Sequence, residues 1–152
     1  EMLIFELLQP DNYKGATDFF YILHEISTLL NPSIDFVVFV SDFLHIKKEY
    51  KQFFEEFGTL YETIALSVKD PLDVRLPSLN KEIVISNPFS GQKLLVNPRI
   101  AKSAYEQYVH EKIFLTRALF EECGIDFLEL YTHENFQPLL AQFLKTRAGK
   151  RG

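Results

Sequence analysis

The sequence has no tryptophan, one cysteine and one methionine in 152 residues. A single cysteine excludes an internal disulfide, and this usage is typical of proteins in a reducing compartment. We therefore expect a cytoplasmic protein. Cys123 lies on the apolar stripe of a long predicted helix. We interpret it as a small core residue rather than a nucleophile.

Long apolar runs and dense positive charge are also missing. No run approaches the roughly 20 residues of a membrane span, and no signal peptide is recognisable. The formal charge of −5 disfavours a surface built for nucleic-acid phosphates. We expect neither membrane contact nor nucleic-acid binding by this chain. Lys145, Arg147, Lys150 and Arg151 form a basic cluster, and we interpret residues 146–152 as a solvated tail.

The motifs of several enzyme classes do not occur. The six glycines are isolated, so no loop is suited to cradling phosphates. There is no Gly-x-Ser-x-Gly elbow, and the four histidines share no zinc-ligand spacing. These absences favour a binding role over catalysis.

The apolar elements that are present follow an α/β order, because helices alternate with short β-branched runs. The pattern predicts helices over 17–30, 46–57 (ended by Gly58), 99–123 and from Thr132 onwards, and strands over 34–41, 60–68 and 125–131. Residues 2–8 favour helix. Strands over 81–86 and 93–97 flank a five-residue turn, so we predict a β-hairpin inserted before the long helix. All of this fits one domain over residues 1–152.

The first predicted strand, over 34–41, is apolar on both faces, which is typical of a strand inside a parallel sheet. Such a strand normally has neighbours on both sides. Three parallel strands are few, since sheets usually have about 4–6. Either earlier strands are missing, or another molecule completes the sheet across that edge. Because the first residue is Glu1 rather than Met, we expect the sequence to be a fragment.

Candidate site residues lie where the predicted strands end, since open parallel sheets bind ligands at their carboxyl edge. Ser41 and Asp42 follow the first strand, and Asp70 follows the second. Thr17 and Asp18, at the start of the first helix, can reach the same edge. Hydroxyl and carboxylate oxygens suit Mg²⁺ or Mn²⁺. The alternative is that Asp42 caps the following helix or accepts hydrogen bonds from loop amides, and that Asp70 starts a turn.

Several segments resemble, in order, the von Willebrand factor A-like (vWA-like) domains of the family called domain of unknown function 58. The segment Asp35-Phe-Val-Val-Phe-Val-Ser-Asp-Phe43 resembles a late strand of that domain. Gly15-Ala-Thr-Asp18, Asp70 to Pro77, Asn87 to Gly91 and Gly124-Ile-Asp126 resemble further family segments. The match extends from about Gly15 to Arg147.

The resemblance implies a Rossmann-like open parallel sheet with a metal-ion-dependent adhesion site. That site takes an Asp-x-Ser-x-Ser motif, a threonine and an aspartate from three loops. Thr17 and Asp42 match the second and third loops, while the first motif and the strands before it do not occur here. The resemblance therefore implies that the sequence is the second half of such a domain. The resemblance thus implies a partial Mg²⁺ or Mn²⁺ site at Thr17 and Asp42, with Ser41 beside it. Asp18 and Asp70 are the matching partner-binding candidates.

The family's proteins look like interaction modules that act with MoxR-type AAA+ ATPases in the assembly or maturation of complexes. We therefore expect a non-enzymatic protein-binding module with such a partner. One alternative is a Mg²⁺-dependent phosphoester hydrolase that uses Asp42 and Asp70. The other is a structural role, in which the chain forms a homodimer through its open sheet edge.

Overall fold

The computed structural model of the chain describes residues 8–13, 18–31, 33–86 and 91–151. The helices there are α1 (Phe19–Leu29), α2 (Lys51–Leu60), α3 (Pro71–Val74), α4 (Pro98–Glu122) and α5 (Phe136–Arg151). The strands are β1 (Phe36–Ser41), β2 (Glu62–Lys69), β3 (Ile83–Ser86), β4 (Lys93–Val96) and β5 (Asp126–Tyr131). The predicted order of the main elements is confirmed, and α3 was not predicted. Of the segment 2–8, which we predicted to favour helix, residues 2–7 lie outside the described ranges.

A parallel sheet with the strand order β1-β2-β5 organises the chain. Phe39, Ala65 and Phe127 share one register row and point to the same face. Helices α1, α2 and α4 cover that face, and α5 covers part of the opposite face. The α/β class and the parallel sheet are therefore confirmed. Among the described residues, no helix combines the length and apolarity that a bilayer span requires.

The position of β1 differs from the prediction. It is an edge strand, because β2 is its hydrogen-bonded neighbour on one side and no described strand pairs with the other. Its side chains alternate between exposed and half-buried. The exposed members are Phe36, Val38 and Val40, all on the face that carries α5. A strand that is apolar on both faces is thus covered on only one of them.

An aromatic cluster fills the space between α2, α4 and the sheet. Phe54 and Phe120 are fully buried with ring centroids 4.7 Å apart, and the Phe127 ring stacks on Phe120 at 5.7 Å. Phe39 meets Phe57 edge-on at 5.1 Å. Such offset and edge-to-face pairs add to the free energy of apolar burial. These contacts hold β1, β2 and β5 to their helices.

Gly58 has a different role from the predicted helix terminator, because it lies inside α2. A Cβ atom at Gly58 would lie 1.8 Å from the carbonyl oxygen of Cys123, which is backbone and cannot move aside cheaply. The glycine therefore permits close packing of α2 on the end of α4. Gly124 is the residue that ends α4, with a left-handed φ of +73°, as predicted.

The predicted solvated tail is wrong for Arg147. The residue lies in α5 and is only 7% exposed. Its Nε donates to Asp126 Oδ2 at 2.6 Å, and its Nη2 donates to the carbonyl oxygen of Thr63 at 3.3 Å. The guanidinium also lies 5.2 Å from the centre of the Phe36 ring. One arginine thus connects α5 to the amino ends of all three parallel strands.

The predicted hairpin is confirmed as the antiparallel pair β3–β4, with Val84 opposite Leu95 and Ile85 opposite Leu94. Its turn, residues 87–90, lies outside the described ranges. Asn97 caps α4 by accepting a hydrogen bond from the Arg99 backbone N–H at 3.1 Å. These four apolar hairpin side chains are all exposed.

Candidate functional site

The loop after β1 holds Asp42 through local hydrogen bonds. The Asp42 carboxylate accepts from the Leu44 backbone N–H at 3.0 Å, and the Ser41 hydroxyl accepts from the Phe43 N–H at 3.2 Å. Phe43 itself has a left-handed φ of 54°, which is costly for a residue with a bulky side chain. Burial of its ring, 4.9 Å from the Phe120 ring, offsets that cost. Asp42 is therefore a turn-stabilising residue, as the alternative interpretation predicted.

Lys69, at the end of β2, was not singled out from the sequence. It is buried, and its ammonium donates to the backbone carbonyl of Asp42 at 2.9 Å. Burial lowers the pKa of Lys69, while the nearby carboxylates of Glu129, Asp42 and Asp73 oppose that shift. The ammonium places a positive charge beside the loop where we predicted a metal ion.

Asp70 caps the short helix α3. Its carboxylate accepts from the Leu72 N–H at 2.9 Å, and the Asp73 carboxylate accepts from the Asp70 N–H at 2.8 Å, which completes a capping box. The Thr132 hydroxyl donates to Asp70 at 3.3 Å. Thr132 therefore joins β5 to α3 and does not cap α5, which begins at Phe136. The predicted structural role of Asp70 accounts for both of its carboxylate oxygens.

The first helix is capped by Asp18, whose carboxylate accepts from the Tyr21 N–H at 3.1 Å. The pattern predicts that this helix begins at residue 17, and the structure begins it at Phe19. Thr17 lies outside the described residues, so its part in a metal site stays a prediction. The structure brings Asp42 towards Lys69, and Asp70 towards Thr132, but it gives no contact that joins Asp18 to either pair.

The donor set around Asp42 does not fit a divalent cation. Mg²⁺ and Mn²⁺ take several oxygen ligands, usually with more than one carboxylate. No group of three or more His, Cys, Asp or Glu side chains is placed to hold a metal in the part of the chain that the structure describes. The Lys69 ammonium on the Asp42 carbonyl adds electrostatic repulsion for a second cation. The described residues alone therefore do not form a divalent-cation site, and Thr17, the other predicted ligand, lies outside them.

A second cluster of polar side chains lies between α4 and the sheet. Arg117 Nη2 donates to Glu129 Oε1 at 2.5 Å, and the Tyr131 hydroxyl donates to Glu129 Oε2 at 3.2 Å. Burial raises the pKa of Tyr131, and the Glu129 carboxylate raises it further. Ser67 pairs in register with Glu129 and is fully buried, with no hydrogen-bond partner for its hydroxyl among the described residues. Because Ser67 and Lys69 are both buried, a substrate has no access to them.

A small cleft of about 220 Å³ opens at the carboxyl edge of β5. It gathers His110 and His133, whose spacing in the sequence does not predict that they lie together. Its lining is of mixed charge: Pro71, Val74, Arg75, His110, Tyr131, His133 and Glu134. The Tyr131 and His133 rings meet at 5.9 Å, and His133 Nε2 lies 3.6 Å from Glu134. Arg75 and Glu134 carry opposite charges, so the lining does not favour a ligand of one sign.

A larger apolar groove of about 350 Å³ lies between α1 and β1, and we call it the β1 groove. Phe39 from one face of β1 and Val38 and Val40 from the other all line it, so the groove runs along the strand's free edge. Its remaining lining residues are Phe19, Ile22, Leu23, Ile26, Ser41 and Phe43. An exposed apolar edge of this kind is a recognised site for strand pairing with another chain.

The chain matches no protein-family model, no curated protein and no solved structure. The resemblance to vWA-like domains accordingly stays a prediction.

Proposed function

We propose that the chain is a non-enzymatic protein-interaction module of the vWA-like type, and that its binding surface is the β1 groove. The observation that carries this proposal is the exposed apolar edge of β1. Monomeric proteins usually cover such edges or interrupt them with charge, proline or a bulge. Here Phe36 to Val40 contain no charged residue and no proline.

The alternative of a Mg²⁺-dependent hydrolase has weaker support. It requires Asp42 and Asp70 as metal ligands, and both carboxylates already accept backbone hydrogen bonds. A hydrolase also needs an accessible cleft beside its metal ligands. The cleft next to β5 is small and is lined by neither aspartate.

The partner that we propose is a MoxR-type AAA+ ATPase, on the basis of the resemblance of residues 15 to 147 to the family described above. The partner would then be recognised through the shape and apolar character of the β1 groove. Since the residues around Asp42 do not fit a divalent ion, we propose that binding does not depend on Mg²⁺.

The test is co-elution of the purified chain with the MoxR-type ATPase of the same organism in gel filtration. Val40→Asp places a charge in the β1 groove, and Val84→Asp places the same charge on the hairpin. Val84→Asp is the matched control for Val40→Asp, because the two valines are 60% and 64% exposed. We expect Val40→Asp to abolish co-elution, Val84→Asp to leave it unchanged, and chelation of divalent ions not to matter. Equal co-elution of both variants would place the binding surface elsewhere.

A further inference from the structure

We propose that the partner supplies an extended segment that pairs with the free edge of β1, and that this segment is apolar at its centre and flanked by lysine or arginine. This inference rests on the proposed interaction function and specifies the chemistry of the partner. It follows from the shape of the β1 groove and from the charges at its two ends.

The groove has the geometry of a strand-binding site. Residues from both faces of β1 line it, so an occupant lies in the plane of the sheet, beside the strand. A paired strand would lie about 4.8 Å from β1 and would satisfy the backbone N–H and C=O groups on that edge. Main-chain hydrogen bonds then supply affinity, and alternate side chains supply specificity.

Both rows of side chains on such a segment meet apolar surfaces. On the face that carries α5, they lie beside Phe36, Val38 and Val40, all of which are exposed. On the other face they meet Ile22 and Ile26 of α1, which line the groove. A segment with alternating polar residues would leave Phe36, Val38 and Val40 in contact with water, whereas apolar residues in both rows would cover them. The centre of the segment is therefore apolar on both faces.

The ends of β1 carry negative charge. Asp35 directly precedes the strand, Asp42 directly follows it, and both residues are exposed. The six strand residues between them span about 20 Å. Asp18 precedes Phe19, which lines the same groove. Carboxylates at both ends attract basic residues on either side of an apolar centre.

Lys69 is a cation close to the Asp42 end, but it is buried and is bonded to the Asp42 carbonyl. The carboxylates of Glu129 and Asp73 also favour its charged form, because they oppose the lowering of its pKa by burial. The Asp42 carboxylate remains the exposed charge beside the groove. A second copy of this chain is a poor occupant, because its own β1 is bounded by the same aspartates and its net charge is also −5.

The experiment measures the binding of three labelled peptides to the full chain by fluorescence anisotropy. The first peptide has six alternating valines and isoleucines between pairs of lysines. The second has the same centre between pairs of glutamates. The third is the lysine-flanked peptide with alternate backbone nitrogens methylated, which removes the donors along one edge.

We expect the lysine-flanked peptide to bind at least about tenfold more tightly than the glutamate-flanked one, with the difference shrinking as salt screens the charges. The methylated peptide should lose binding. Val40→Asp should abolish binding, while Val84→Asp should not change it. Asp42→Asn should reduce the preference for lysine flanks, because asparagine keeps the acceptor for the Leu44 N–H but removes the charge.

Equal binding of the methylated peptide would overturn strand pairing, and equal affinity for the two flanks would overturn the charge assignment. A stable dimer that Val40→Asp converts to monomers would make a second copy the occupant and would also overturn the proposal. If no peptide binds but co-elution with the ATPase still depends on Val40, the strand inference fails and the interaction function survives. If Val40→Asp also leaves co-elution unchanged, the strand inference fails together with the β1 groove as the binding surface.

Discussion

The two flanks of β2 differ in how completely the chain covers them. On one flank β5 lies between α4 and α5, and its residues Phe127 and Leu130 are buried; we call this the closed flank. On the other flank, which we call the open flank, β1 and its groove leave Phe36, Val38 and Val40 exposed. Both strands lie at edges of the described sheet, but β5 contains Asp126 and Glu129, whereas Phe36 to Val40 contain no charged residue. The apolarity of a strand therefore indicates that it needs a cover, but not that its own chain provides it.

Gly58→Ala tests the closed flank most severely. The added methyl group would meet the Cys123 carbonyl, so α2 and α4 would have to separate. We expect a loss of at least about 3 kcal/mol in the free energy of unfolding, or failure to fold. The measurement is urea denaturation. Gly149→Ala is the control, since nothing lies within 4 Å of its Cβ position, and it should be neutral or stabilising by at most about 1 kcal/mol. Equal losses in the two variants would contradict the packing of α2 on α4.

Helix α4 carries one buried and one exposed phenylalanine, so covered and uncovered positions can be compared within one helix. Phe120 is 0% exposed in the aromatic cluster, whereas Phe114 is 68% exposed. Phe120→Ala should lower the free energy of unfolding by about 3–5 kcal/mol through lost burial and a cavity. Phe114→Ala should change it by less than about 0.5 kcal/mol. A large loss at Phe114, measured in the same denaturation series, would mean that the outer face of α4 is covered.

Arg147→Ala tests how α5 is attached to the sheet. The substitution removes the hydrogen bonds to Asp126 and to the Thr63 carbonyl. We expect a loss of about 1–3 kcal/mol, because the arginine is buried while its carboxylate partner is partly exposed. Arg147→Lys should recover only part of the loss, since an ammonium cannot reproduce the guanidinium geometry. Lys145→Ala, at an exposed position of the same helix, should have no effect. An Arg147→Ala variant as stable as Lys145→Ala would restore the solvated-tail interpretation.

The smallest effect concerns Cys123, on the closed flank. Burial raises the pKa of its thiol from 9.0 to about 11, so the folded chain keeps the proton where the unfolded chain loses it. The thiol's contribution to stability is therefore complete below pH 9 and is lost as the pH rises towards 11. Alkylation of Cys123 below pH 9 should be much slower in the folded chain than in denaturing urea. Equal rates would show that the closed flank opens readily.

The order of elements, the hairpin and the parallel sheet could be predicted from periodicity and turn residues, because those signals are local. The loop hydrogen bond of Asp42 could also be predicted from its place directly after a strand. The contacts of Lys69 and Arg147 could not be predicted, since their partners lie 27 and 21 residues away in the chain. Gly58 was misinterpreted for the same reason. A glycine that ends a helix and a glycine that admits a distant carbonyl look alike in sequence.

The central claim is that the edge of β1 is an open strand-binding site, and hydrogen exchange of the β1 amides tests it most directly. The edge-facing amides of Phe36 to Ser41 should exchange much faster than those of β2, which are paired on both sides. The lysine-flanked peptide should slow exchange in β1 and leave the other strands unchanged. Slow exchange of the β1 amides in the chain alone would contradict the account, because the edge would then already be covered.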